Sequence, residues 1–83
     1  MYLKIEIMEL IEINPKIMLG KPVIKGTRIT VEHIISLLSQ DISIDQILIE
    51  YKGLEKKQIL ACLKYAKNIL EKTTTFDLDK IAS

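Results

Sequence analysis

Few residues in this chain are suited to covalent or metal chemistry. It has one histidine, His33, and one cysteine, Cys62. A nucleophile needs a base within hydrogen-bond reach, a structural zinc site needs three or four soft ligands, and an internal disulfide needs a second thiol. His33 falls on the polar face of one expected helix and is expected to be an unpartnered surface histidine. Cys62 falls on the apolar stripe of another, where a thiol behaves as a small hydrophobe. The carboxylates are scattered, and the segment from Gly20 to Gly26 is not a phosphate loop. Catalysis is therefore not expected, nor is any metal or cofactor.

The lysines do form a pattern. Residues 55–72 carry a net charge of +3, whereas residues 31–54 carry −3, residues 1–30 carry +2 and the last eleven residues carry −1, so a total of +1 conceals one basic segment. That segment has helical periodicity from residue 55 or 56 to residue 71, with Ile59, Cys62, Leu63, Ala66, Ile69 and Leu70 as its apolar stripe. Lys57, Ala61, Lys64 and Asn68 lie opposite or nearly opposite the stripe, and Lys67 lies at its border. Outward lysines can neutralise nucleic-acid phosphates, and Gln58 or Asn68 can offer a bidentate bond to adenine. Lys56, Lys57, Gln58, Lys64 and Asn68 are accordingly the candidate DNA-binding residues. The plainer alternative is that these lysines are the solvated face of an ordinary amphipathic helix, since no arginine is present there to read guanine.

Two further helices precede this one. Thr30 is a good N-cap for a helix over about residues 31–39, with Val31, Ile34, Ile35 and Leu38 on one face, and Asp41 and Ile42 end it. Ser43 with Gln46 is a capping-box pattern for a second helix over about residues 44–51, burying Ile44, Ile47, Leu48 and Tyr51, with Gly53 closing it. The turn Lys52-Gly53-Leu54 joins the second and third helices as in a helix-turn-helix unit, whose second helix enters the major groove. Upstream, residues 3–7 alternate apolar and charged, and Ile11 and Ile13 flank Glu12 in the same way, which predicts short strands. Residues 20–29 predict a tight hairpin around Lys25-Gly26. The expected fold is mainly α, a tri-helical cluster preceded by short N-terminal strands and a hairpin.

Within the hairpin block, Gly20 and Gly26 suit turns, Pro22 stiffens an edge strand, and Thr27 can bond its own turn. Arg28 has two readings. One is an internal clamp on Glu32, Asp45 or Glu50; the other is a phosphate or protein contact. The clamp is the favoured expectation, because a guanidinium fixed beside a tight turn binds a carboxylate well.

Eighty-three residues make one domain, expected over residues 1–72, followed by a tail over residues 73–83. Phe76, Leu78 and Ile81 punctuate that polar tail and make it a candidate partner-binding segment; folding back on the strand at residues 3–7 is the alternative. A chain this small buries little surface, so a homodimer or a bound partner is expected to complete it. No apolar run approaches the ~20 residues needed to span a bilayer, so no membrane association and a cytoplasmic location are expected.

The residues Ile13-Asn14-Pro15-Lys16-Ile17, then the block from Gly20 to Ile29, then Ser43-Ile44-Asp45-Gln46-Ile47-Leu48 and Tyr51 resemble the prokaryotic family catalogued as domain of unknown function 433. Its members are described as VapB-like antitoxins. The resemblance covers about residues 9–70. It implies a homeodomain-like helix-turn-helix fold and, often, a neighbouring gene for a PIN-like ribonuclease toxin. The chain departs from the family pattern in having Leu19-Gly20 for a double glycine, Asn14 for aspartate, Thr30 for proline, and Glu55 for a threonine cap on the third helix. The functional expectation is the antitoxin of a type II toxin-antitoxin system that blocks a PIN-like toxin and binds double-stranded operator DNA. The alternative is a DNA-binding or protein-interaction adaptor with no toxin.

Overall fold

The computed structural model describes residues 9–73 of the chain. Its elements are β1 (Ile11–Glu12), a 3-10 turn (Met18–Gly20), β2 (Val23–Ile24), α1 (Val31–Ser39), α2 (Ile44–Glu50) and α3 (Lys56–Thr73). Over the described residues the chain is thus mainly helical, with three helices after a short two-stranded antiparallel sheet. The strand expected over residues 3–7 and the tail residues Phe76, Leu78 and Ile81 lie outside the described residues.

Local capping chemistry explains where α1 and α2 begin. Thr30 Oγ1 accepts the His33 N–H at 2.9 Å, satisfying one of the orphan donors of the first turn of α1. At the other end, the Asp41 N–H donates to the Leu38 carbonyl at 3.1 Å and the Ile42 N–H to that of Leu37 at 3.2 Å. This is a Schellman closure, with Asp41 at φ +66° in the left-handed place glycine usually fills. Ser43 and Gln46 form the expected capping box: Ser43 Oγ accepts the Gln46 N–H at 3.1 Å, and Gln46 Oε1 accepts the Ser43 N–H at 2.9 Å. Gly53, at φ +98°, turns the chain from α2 toward α3.

The expected hairpin around Lys25-Gly26 is present, and β1 adds a further strand to it. The turn exists: the Thr27 N–H donates to the Ile24 carbonyl at 2.9 Å, Gly26 takes φ +82°, and Thr27 Oγ1 bonds Ile24 O at 2.8 Å and accepts the Ile29 N–H at 3.0 Å. The returning arm pairs through the Val23 to Thr30 bridge, with the Ile24 N–H donating to the Ile29 carbonyl at 2.9 Å. The main partner of β2 is β1, antiparallel, with Ile11 opposite Ile24 and Glu12 opposite Val23. Pro22 therefore leads into a strand flanked on both sides, not an edge strand, and its carbonyl accepts the Val31 N–H at 2.9 Å.

The core gathers Ile11, Val23 and Ile24 from the sheet with Val31, Ile34, Ile47, Ile59, Ala61 and Cys62 from the helices. Two features of α3 differ from expectation. Ala61, expected on the outer face, is buried, while Leu63, Ile69 and Leu70, expected on the buried stripe, are exposed. Ala61 lies beside Leu10, from the segment before β1, and for Ile69 and Leu70 length supplies the reason. At ~1.5 Å per residue, the eighteen residues of α3 run about twice as far as the nine of α1, so its distal half passes beyond the elements that cover its first turns. Among the described residues no helix is long and apolar enough to cross a membrane.

Candidate nucleic-acid interface

α3 starts without a serine, threonine or asparagine at its N-cap, and the chain solves the problem from inside the helix. The Gln58 side-chain oxygen reaches back to accept the Glu55 N–H at 2.6 Å, the same return bond that Gln46 makes in α2. Lys57 Nζ lies 3.4 Å from the Glu55 carboxylate. Gln58 is half-buried and its oxygen is committed to the cap, so it does not present the free amide that a bidentate adenine contact requires. That corrects the role expected for it.

The structure does bring Lys57 and Lys64 together. Seven residues apart and so ~10 Å along the helix, they line one small cleft of about 70 Å³ with Leu10, Leu60 and Ala61. Lys57 is exposed and Lys64 half-buried. Asn68, one turn beyond Lys64, is exposed on the same flank, and Lys56 is exposed one residue before Lys57. Lys67, at the crest, is paired with Glu71 at 3.2 Å.

The hairpin turn adjoins this flank. Leu10, which lines the cleft, accepts the Lys25 N–H through its carbonyl at 2.8 Å, and the Lys25 and Arg28 side chains are both exposed. The internal clamp expected of Arg28 is not formed: among the described residues it pairs with no carboxylate. Lys21 takes that part, with its Nζ 3.2 Å from Glu32, tying the segment before β2 to the first turn of α1. Gly20 (φ +83°) and Gly26 keep the turn roles the sequence implies.

His33 is not solitary. Its Nε2 shares a hydrogen bond with the Tyr51 hydroxyl at 2.9 Å, and the rings meet edge to face with centroids 6.0 Å apart. The pattern of apolar positions could not show this, because Tyr51 was assigned to the core by spacing while its hydroxyl turns outward. Cys62 is fully buried, and burial pushes its thiol up to about 11. Such a thiol is inert, consistent with a packing role.

Fold and surface together define a small tri-helical domain with an N-terminal two-stranded sheet and a basic flank on its longest helix. The family model described as protein of unknown function (DUF433) matches residues 11–66, well over half of the chain, and the chain belongs to that family. No curated protein and no solved structure matches it.

Proposed function

We propose that this protein is the antitoxin of a type II toxin-antitoxin system, a homodimer that binds operator DNA through α3 and neutralises a PIN-like ribonuclease toxin. The observation that carries the DNA half of the reading is the placement of Lys57 and Lys64 on one accessible flank of the helix that follows the α2 turn, where a helix-turn-helix unit presents its recognition helix. Lys56 and Asn68 extend that flank, and Lys25 and Arg28 at the neighbouring hairpin supply two more cations for phosphates. The toxin half rests on the family resemblance of the Gly20 to Ile29 block. Cytoplasmic action follows from such a role.

Co-expression with the product of the adjacent gene, followed by size-exclusion chromatography, tests the toxin half. Co-elution with loss of ribonuclease activity is expected, and failure of any neighbour to co-elute sinks the antitoxin reading. A second reading, an adaptor that binds proteins and has no toxin, draws on the apolar groove between α1 and the distal half of α3. Retained DNA binding with no toxin partner favours a DNA-binding form of that adaptor.

A further inference from the structure

Leu19 is the most exposed large apolar side chain among the described residues, 93% open to solvent. Its backbone lies in the left-handed region at φ 58°, as does that of Met18 before it at φ 48°, a conformation that residues with a Cβ resist. The turn is nonetheless well held. The Ile17 N–H donates to the Asn14 carbonyl at 2.8 Å, the Gly20 N–H to that of Ile17 at 3.0 Å and the Lys21 N–H to that of Met18 at 3.1 Å. The Lys21 ammonium then anchors the far end of the turn to Glu32 on α1. Backbone strain kept in a fixed turn points to a task for the side chain at its tip.

The same chain carries a recess of matching character. On α2, Ile49 lies two residues from the fully buried Ile47 and so on the opposite face, where it is 73% exposed. With Ile42, Gln46 and Glu50 it lines a cavity of about 420 Å³, which has room for a leucine side chain. Asp45, one turn before Ile49, and Glu50 flank this apolar centre. The two sites have opposite charge. Residues 13–28 hold Lys16, Lys21, Lys25 and Arg28 and no carboxylate, whereas residues 41–50 hold Asp41, Asp45 and Glu50 and no cation. Among the described residues those three carboxylates form no ion pair.

We infer that Leu19 of one copy seats in the Ile42 and Ile49 recess of a second copy, with the lysines beside the turn facing the carboxylates beside the recess. This names the interface of the homodimer in the proposed function and rests on that reading. Two observations select a second copy as the occupant. The contact is not made within one chain, since Leu19 and Ile49 are both open in the folded monomer. The apolar tip is surrounded by one sign of charge and the apolar recess by the other, which steers the encounter and fixes its register. Nucleic acid or a lipid surface would attract the lysines of the turn but leaves the acidic recess around Ile49 unexplained. Exchanged reciprocally, the contact occurs twice in a dimer. A contact of this size falls below ~1,200 Å² in total, the range of weak and transient interfaces, so association is concentration-dependent and weakens with salt.

Sedimentation equilibrium of the full chain, from roughly 10 µM to 1 mM at low and high salt, tests the inference. The wild type is expected to pass from monomer to dimer. Leu19→Gly removes the tip and keeps the left-handed turn, and Ile49→Lys places a cation at the centre of the recess. Each should weaken dimerisation by about tenfold or more, with the methyl resonances of Ile34, Ile47 and Ile59 in place to report an intact fold. In a wild-type sample mixed from differently labelled copies, cross-relaxation between the Leu19 and Ile49 methyls of different copies is expected. Unchanged dimerisation in either variant, or contacts between copies that omit these two residues, would overturn the inference and leave the homodimer to another surface. A wild type that stays monomeric at every concentration would overturn both. Loss of DNA affinity in Leu19→Gly with dimerisation unchanged would assign the turn to nucleic acid instead.

Discussion

The His33 imidazole and the Tyr51 hydroxyl, eighteen residues apart, meet at 2.9 Å and tie the first turn of α1 to the C-cap of α2. Tyr51 stands immediately before the turn that leads into α3. Because the pair is accessible to water, its net contribution falls at the low end for a hydrogen bond, about 0.5–1 kcal/mol. Tyr51→Phe removes the hydroxyl and keeps the edge-to-face ring contact, so it should lower stability by that amount. His33→Ala should cost slightly more. A double-mutant cycle by urea denaturation should return a coupling of the same size, and strict additivity would show that the bond contributes nothing.

The backbone before β2 carries strain that the side chains there do not offset. Met18, Leu19 and Gly20 take φ of 48°, 58° and 83°, three successive left-handed residues of which only the last is glycine. Leu19 is also 93% exposed, so its side chain gains nothing from burial. Position 19 therefore favours glycine, because it needs the left-handed region. Leu19→Gly should raise stability by about 0.5–1 kcal/mol, after allowing for the extra freedom glycine brings to the unfolded chain, which is roughly 3–6 °C in a domain of this size. Gly20→Ala should do the reverse, through conformation and not collision, since an added Cβ meets nothing nearer than Pro15 Cα at 3.7 Å. A thermal melt of both variants settles the sign.

These residues also show which parts of the structure were legible in the sequence. Thr30, the Ser43 and Gln46 pair, Gly26 and Gly53 each satisfy a backbone demand within four residues of themselves, so residue type and spacing were enough to place α1, α2 and the turns between them. Gln58 followed the same capping rule but was masked by a more interesting possibility, base recognition. The features that were not legible depend on contacts between residues far apart along the chain. That β2 pairs with β1 as well as with its returning arm depends on packing between segments a dozen residues apart. How far along α3 the core extends depends on the reach of α1 and α2, which periodicity does not encode, so Ile69 and Leu70 stayed out, while Ala61 went inside beside Leu10. Arg28 was given a carboxylate by chemical aptitude, and the fold gave the neighbouring role to Lys21 and Glu32.

Burial of Cys62 links stability to alkaline pH. The thiol is pushed from 9.0 to about 11 because the thiolate would lose its hydration in the core. Between those values the unfolded chain gives up the proton and the folded chain keeps it, so the folded state binds more protons and stability falls as pH rises. The loss begins near pH 9 and approaches roughly 2–3 kcal/mol near pH 11, at about 1.4 kcal/mol per unit of difference. Cys62→Ala should flatten this dependence while lowering stability at pH 7 through the cavity it leaves, by about 1 kcal/mol. Chemical denaturation at pH 7, 9 and 10.5 for both proteins is the check; parallel curves would show that other groups dominate the alkaline limb.

The DNA reading makes a claim about which cations matter as well as how many. Lys57 and Lys64 share a cleft on the accessible flank of α3, and Arg28, at the hairpin beside it, has no carboxylate partner among the described residues. Arg28→Ala should therefore leave stability within about 0.5 kcal/mol, where loss of an internal clamp would cost more. If Arg28 contacts phosphate, the same substitution should weaken DNA binding at every sequence and reduce the slope of log affinity against log salt by about 1. Lys57→Glu and Lys64→Glu should each act in the same direction and more strongly, since reversal adds repulsion to the lost contact. Lys67→Glu is the control: Lys67 lies outside the cleft that Lys57 and Lys64 line, and its reversal should change the slope least. Fluorescence anisotropy with a labelled duplex spanning the operon's own promoter, measured from 50 to 300 mM salt, reads all four variants. Equal slopes for the Lys57, Lys64 and Lys67 variants would reduce the basic flank to a solvated helix face.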